Sequence, residues 1–179
     1  MCDAVKHEQL VEMIRQVTKD VFTTMFDLEV QVGEPFIERA SAESFDGVMS
    51  LIGMAGSSWV GTGSLSCGSR TACRLSSALL MEEISAVDDQ VLDSIGELTN
   101  VLIGNVKGEI EQQLGTMALS VPIVVRGCHL TAHALCHGCV WTVVPFTFGD
   151  DRIDVKICLT ERELRETETE RRPRAMAEA

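Results

Sequence analysis

Residues Asp88–Leu114 read DDQVLDSIGELTNVLIGNVKGEIEQQL, and Gly115 follows at once. Leu92, Ile95, Leu102, Ile103, Val106, Ile110 and Leu114 fall within one arc when successive residues are turned by about 100°. The stretch therefore predicts a long central helix, about 88–114, with its apolar arc on a core. Ser85 to Asp88 has the spacing of a capping box, a carboxylate three residues after a serine, and Gly115 supplies the stop. Opposite the arc lie Asp93, Glu97, Asn100, Gly104 and Lys107, spaced by four, three, four and three. Such spacing draws one narrow line down the exposed side of a helix.

Outward from this helix the pattern changes. Towards the N-terminus, residues 5 to 26 place Val5, Leu10, Val11, Ile14, Val17, Val21, Phe22 and Met25 at helical spacing. Phe26 to Val32 alternates with period two, which predicts a strand closed by Gly33 to Pro35. Gly47 to Ala55 and Trp59 to Cys67 predict a hairpin about Gly56-Ser57-Ser58, and Arg70 to Met81 a short helix. Beyond Gly115, strands are predicted over Met117–Val125, Leu130–Leu135, Val140–Phe148 and Ile153–Leu159. Gly127, His137-Gly138 and Gly149 to Asp151 separate them. This order predicts a layered α/β domain of α+β character over residues 1–160, its largely antiparallel sheet flanked by helices. A loose echo, a helix followed by about three strands, runs through both halves. Residues 161–179 are mostly Glu, Arg and Thr, too poor in apolar side chains to dock, and predict a charged tail, frayed or disordered.

Composition excludes several functions. The chain has 179 residues, 45% hydrophobic and 23% charged, a globular balance. Its formal net charge of −12 repels phosphate backbones. Aromatics are 4%, with no tyrosine, which leaves no base-stacking platform, so nucleic acid is a poor partner. No apolar run approaches the roughly 18 residues a membrane span requires. The polar start has no apolar signal region, and seven cysteines are an odd number. Both features predict reduced thiols in the cytoplasm.

The exposed line admits a plain reading, a solvated face with Asp93 and Glu97 favouring the positive end of the helix. Two residues argue against it. Asn100 and Gly104 are poor helix formers, and a mid-helix glycine costs up to ~1 kcal/mol relative to alanine. Both on one exposed line predict that something approaches it closely.

Asp93-Ser94-Ile95-Gly96-Glu97-Leu98-Thr99-Asn100, followed by Ile103-Gly104-Asn105-Val106-Lys107 and then by Pro122, resembles the phosphatase motif of the chemotaxis proteins CheC, CheX and FliY. Over residues 7–160 the chain is most similar to CheX. The helix ending Val21 to Met25, the glycine-bearing hairpin after Gly47, the Leu119-Ser120-Val121-Pro122 segment and the Val125-Arg126-Gly127 turn carry that likeness. CheC-type members have two such motifs. Here the first helix offers Glu12 followed by Arg15, so a single motif remains. The resemblance implies a phosphatase acting on the aspartyl-phosphate of a CheY-type receiver domain, and a homodimer. Asn100 would position water, Glu97 would dock a receiver lysine, and Asp93, Gly104 and Lys107 would contact the partner. Magnesium would belong to the receiver, and this chain would bind no cofactor. These side chains suit the chemistry, because an acyl phosphate needs mainly a water held in line with phosphorus. Asparagine offers a donor and an acceptor without adding negative charge. The alternative is a non-catalytic receiver-binding or flagellar-switch-like interaction module.

Cys136-His137-Gly138-Cys139, with His129 and His133 nearby, has ligand types that suit zinc. A hairpin turn at His137-Gly138 accounts for the segment equally simply. A second paired ligand set at recognisable spacing is missing, so no metal is predicted.

Overall fold

The computed structural model describes residues 7–38, 45–130 and 140–162. Its frame is a long hairpin. Strand β3 (Phe45–Gly56) turns at Ser57-Ser58 into β4 (Trp59–Cys67), in register from Val48 opposite Cys67 to Ala55 opposite Val60. Strands β7 (Trp141–Phe148) and β8 (Asp151–Glu161) form a second hairpin, and β8 lies along β4. At one edge β1 (Gln31–Val32) and β2 (Phe36–Glu38) both pair with β7. At the other edge β5 (Met117–Leu119) and β6 (Ile123–Leu130) both pair with β3. Among the described residues every pairing is antiparallel, and the eight strands make one sheet.

Side-chain alternation assigns the faces. Val48, Ile52 and Met54 of β3, Leu65 and Cys67 of β4, Val144, Phe146 and Phe148 of β7, and Ile153, Val155 and Ile157 of β8 share one buried cluster with the helices. Those helices are α1 (His7–Phe26), α2 (Ser69–Leu80) and α3 (Asp89–Leu114). The opposite face holds a smaller cluster, Trp141, Val143 and Cys158, with Leu51 against it. Helix α3 sits low on the sheet because β4 has a glycine beneath it: a Cβ on Gly63 would stand 2.5 Å from Ile103. Ile95, Leu98, Leu102, Ile103, Val106 and Ile110 of α3 are fully buried. Each such side chain contributes about 1.5–3 kcal/mol relative to exposure.

Helix α2 is tied to the second hairpin by a buried carboxylate. Asp151 accepts from Thr71 Oγ1 at 2.9 Å and pairs with Arg74, whose guanidinium lies 5.8 Å from the Phe148 ring centre. Burial, aided by Asp151 and then Cys73, pushes the Cys67 thiol up to about 12. Cys67 therefore stays protonated as a core residue, not a reactive one.

Four expectations need correction. The strand expected over Phe26–Val32 shrinks to Gln31–Val32, because α1 runs through Phe26 and ends on Asp27 at φ 52°. There the Asp27 N–H still donates to Thr23 O, at 3.2 Å. The cap of α3 is Asp88 itself, not Ser85: its carboxylate accepts from Val91 N at 3.0 Å. The strand expected over Met117–Val125 is broken at Ser120-Val121-Pro122. Proline has no N–H to give to a ladder, and the serine side chain replaces a backbone partner, Gly53 N donating to Ser120 Oγ at 2.8 Å. Gly127 lies inside β6, opposite Gly47, and does not separate strands. Val5, the end of the strand expected over Leu130–Leu135, the His137-Gly138 turn and all but the start of the charged tail lie outside the described residues.

Candidate functional site

The expected line on α3 is present. Asp93, Glu97 and Asn100 are exposed, whereas Gly104 and Lys107 are half-buried. The same helix turns its buried arc to the core, so the exposed side chains rest on a rigid support. The buried hydroxyls of that arc are satisfied within the helix, Thr99 donating to Ile95 O at 2.7 Å and Ser94 to Gln90 O at 2.8 Å. Among the described residues, Asp93, Glu97 and Asn100 make no side-chain hydrogen bond or ion pair. They are free to meet something from outside.

Lys107 is not free in this way. Its Nζ donates to Met117 O at 3.1 Å and pairs with Glu111 at 2.8 Å. The same Glu111 oxygen accepts from Met117 N at 2.7 Å. Together the two side chains clasp the first peptide groups of β5 against the end of α3. The Lys107 hydrogen bond, followed by that of Met117 N–H, lowers the Glu111 carboxyl below the usual carboxylate range.

From this clasp the chain runs back alongside the helix. A Cβ on Gly104 would stand 3.7 Å from Leu119, and one on Gly96 would stand 3.2 Å from Val124 and 3.9 Å from Pro122. Gly96, Asn100 and Gly104 are four apart and share one side of the helix. The Leu119 to Val124 segment therefore passes beside the two turns of α3 that bracket Asn100. Ser120 is pinned to β3 by Gly53, and Val121 between the two contacts is 82% exposed. Gly96, Ser120, Val121 and the clasp of Glu111 were not identified from sequence. Gly96 carried a usable signal, a second mid-helix glycine at the same four-residue distance from Asn100. The clasp carried none, since it depends on where β5 starts.

Small-molecule sites are concave, and this one is a ridge. A cleft of about 440 Å3 lies elsewhere, between α1 and the end of α3, lined by Glu12, Met13, Gln16, Asp20, Glu109 and Gln113. Among the described residues no group of three or more His, Cys, Asp or Glu side chains is placed to hold a metal ion. The segment Cys136 to Cys139, with His129 and His133, falls outside the described side chains. No helix among the described residues is long and apolar enough to cross a membrane.

Glu97 and Asn100 thus stand exposed on a helix ridge above an antiparallel sheet, in an α+β module. A family model described as chemotaxis phosphatase CheX matches residues 48–147, more than half of the chain, and the chain belongs to that family. Among solved structures it is similar to the chemotaxis protein CheX from Vibrio vulnificus, at 26% identity and a TM-score of 0.72, over 85% of this chain and 99% of that one. A CheC-like superfamily protein from Shewanella sp. PV-4 shares the fold at 24% identity and a TM-score of 0.75, over 84% of this chain and 97% of that one. So does a chain of the CheX–CheY–BeF3–Mg2+ complex from Borrelia burgdorferi, at 23% identity and a TM-score of 0.70, over 85% of this chain and 98% of that one. No curated protein matches the chain.

Proposed function

We propose that this protein hydrolyses the aspartyl-phosphate of a CheY-type receiver domain, with Asn100 positioning the attacking water and Glu97 docking the receiver's active-site lysine. The observation that carries this reading is the pair itself: Glu97 and Asn100 are exposed, one turn apart and without a side-chain partner among the described residues, on a helix whose other side packs on the core. Family membership supports phosphatase chemistry. The structural relative crystallised with CheY supports the receiver as partner.

The step needs little from this chain. Water attacks phosphorus in line, the bond between phosphorus and the aspartyl oxygen breaks, and inorganic phosphate, a free carboxylate and a proton leave. The asparagine carbonyl accepts from the water while its amide donates to a phosphoryl oxygen. Neutrality matters beside a charged phosphoryl group, where a carboxylate would be repelled. A charged hydrogen bond from the receiver lysine to Glu97 fixes the approach. The Mg2+ would be held by the receiver. Asp93 lies one turn before Glu97, at the rim of the docked face, and Gly104 keeps the far end of the line low. Lys107 acts at one remove, by holding β5.

The test is the lifetime of a CheY-type receiver from the same cell, phosphorylated with acetyl phosphate. Adding the protein should shorten that lifetime in proportion to its concentration. An unchanged lifetime at saturating protein contradicts the proposal.

A further inference from the structure

We infer that Val121 is a docking contact for the phosphorylated receiver, forming the apolar wall opposite Glu97 across Asn100. The inference rests on the function proposed above and extends it to a residue off the helix. Three constraints place it. Leu119 lies against Gly104, Pro122 lies against Gly96, and Asn100 is midway between those glycines. Of the two residues spanning that interval, Ser120 is turned inward. Its hydroxyl accepts from Gly53 N at 2.8 Å and donates to Val121 O at 3.0 Å, and its own N–H donates to Gly53 O at 2.9 Å. Val121 is left projecting, 82% exposed, on a loop held at both ends.

A projecting aliphatic side chain on so constrained a segment is suited to burial in a partner. Any body seated over Asn100 must cover it, because the segment runs beside that residue on the helix. The acidic surface of this chain, net charge −12, gives no long-range attraction to a receiver's acidic pocket. Grip must therefore come from short-range contact, and an apolar anchor beside a charge-paired glutamate supplies it. Ile123, also exposed at 65%, provides an internal control. Val124 faces the helix at Gly96, so its neighbour Ile123 points to the other side of the sheet.

The experiment is steady-state hydrolysis of the acetyl-phosphate-labelled receiver by wild type, Val121→Asp, Val121→Ile, Ile123→Asp and Asn100→Ala. Thermal midpoints and sedimentation are measured on each. Val121→Asp should raise KM at least about 10-fold, equivalent to about 1.4 kcal/mol, and leave kcat within about twofold. Val121→Ile and Ile123→Asp should leave KM within about twofold. Affinity for the receiver loaded with beryllofluoride and Mg2+ should fall for Val121→Asp in parallel with KM. The inference is overturned if KM is unchanged in a folded Val121→Asp protein, if kcat falls instead, or if its oligomeric state shifts, which would assign Val121 to contact between copies of the chain. Asn100→Ala separates the two levels. Loss of kcat there with normal KM for Val121→Asp sinks the inference alone, whereas normal kcat for Asn100→Ala sinks the proposed function.

Discussion

Helices α1 and α3 each carry a glutamate followed three residues later by a polar side chain, yet the two pairs end differently. On α1, Glu12 lies 3.9 Å from Arg15, and the next turn closes on itself as Gln16 donates to Asp20 at 2.9 Å. On α3, Glu97 and Asn100 turn to neither neighbour. The surroundings differ as well. Four residues either side of Asn100 stand Gly96 and Gly104: a Cβ on the first would press on Val124 at 3.2 Å, and one on the second would meet Leu119 at an ordinary 3.7 Å. Four residues either side of Arg15 stand Val11 and Lys19. Spacing alone therefore does not make a site. The site proposed on α3 adds an acid with no partner among the described residues, a neutral amide and a second wall of chain.

The comparison breaks most visibly at Glu97. Glu97→Ala should weaken binding of the beryllofluoride-loaded receiver by about 2–5 kcal/mol, the range for leaving a desolvated charge partner unpaired. A titration showing less than about threefold loss would put Glu97 on a par with Glu12. The glycines sharpen the contrast at a smaller scale. Gly104→Ala should raise stability by up to ~1 kcal/mol, since its Cβ meets Leu119 at an ordinary 3.7 Å. Gly96→Ala should gain less or lose, because its Cβ would press on Val124 at 3.2 Å. Denaturant midpoints in the opposite order would mean that the flanking segment is not held where described.

The clasp on β5 gives a pH signature. The Glu111 carboxyl is lowered in the folded protein, so its contribution is complete above the unfolded value and is lost as pH falls through the folded one. The gap in thermal midpoint between wild type and Glu111→Gln should thus be widest near neutrality and close in acid, from about pH 4 downward. A gap constant with pH would contradict the Lys107–Glu111–Met117 arrangement. The smallest effect is expected on α1. Arg15→Asn writes Glu-x-x-Asn there at a stability cost of about 0.5 kcal/mol, the scale of a weak surface ion pair, here between a half-buried Arg15 and an exposed Glu12. Placed in an Asn100→Ala background it should restore no hydrolysis, since α1 has neither flanking glycine. Restored turnover would show that spacing suffices after all.

Much of this was legible in the sequence. The three helices, the hairpin at Ser57-Ser58 and the exposed positions of Asp93, Glu97 and Asn100 follow from local periodicity, which tertiary structure here reinforces. What was not legible depends on contacts distant in sequence. Phe26 to Val32 alternates like a strand, but Asp27 accepts a left-handed backbone and carries the chain out of α1 before pairing can start. Met117 to Val125 is apolar enough for one strand. Its break arises from Pro122 together with a serine whose hydroxyl reaches across to Gly53. Lys107 looked like a rim residue by its place on the line, and only the position of Met117 shows that its ammonium is engaged.

The central claim is that Asn100 supplies the chemistry while its neighbours supply the grip. The most direct measurement is the rate of receiver dephosphorylation by Asn100→Ala at saturating protein, with affinity taken separately on the beryllofluoride–Mg2+ receiver. The account predicts a rate lower by roughly 10²-fold or more, the scale of a misplaced reacting group. Affinity should stay within about threefold of wild type, and the thermal midpoint should not change, since the residue lies opposite the buried arc of α3. Hydrolysis at the wild-type rate would contradict it and leave a module that grips a receiver without acting on it.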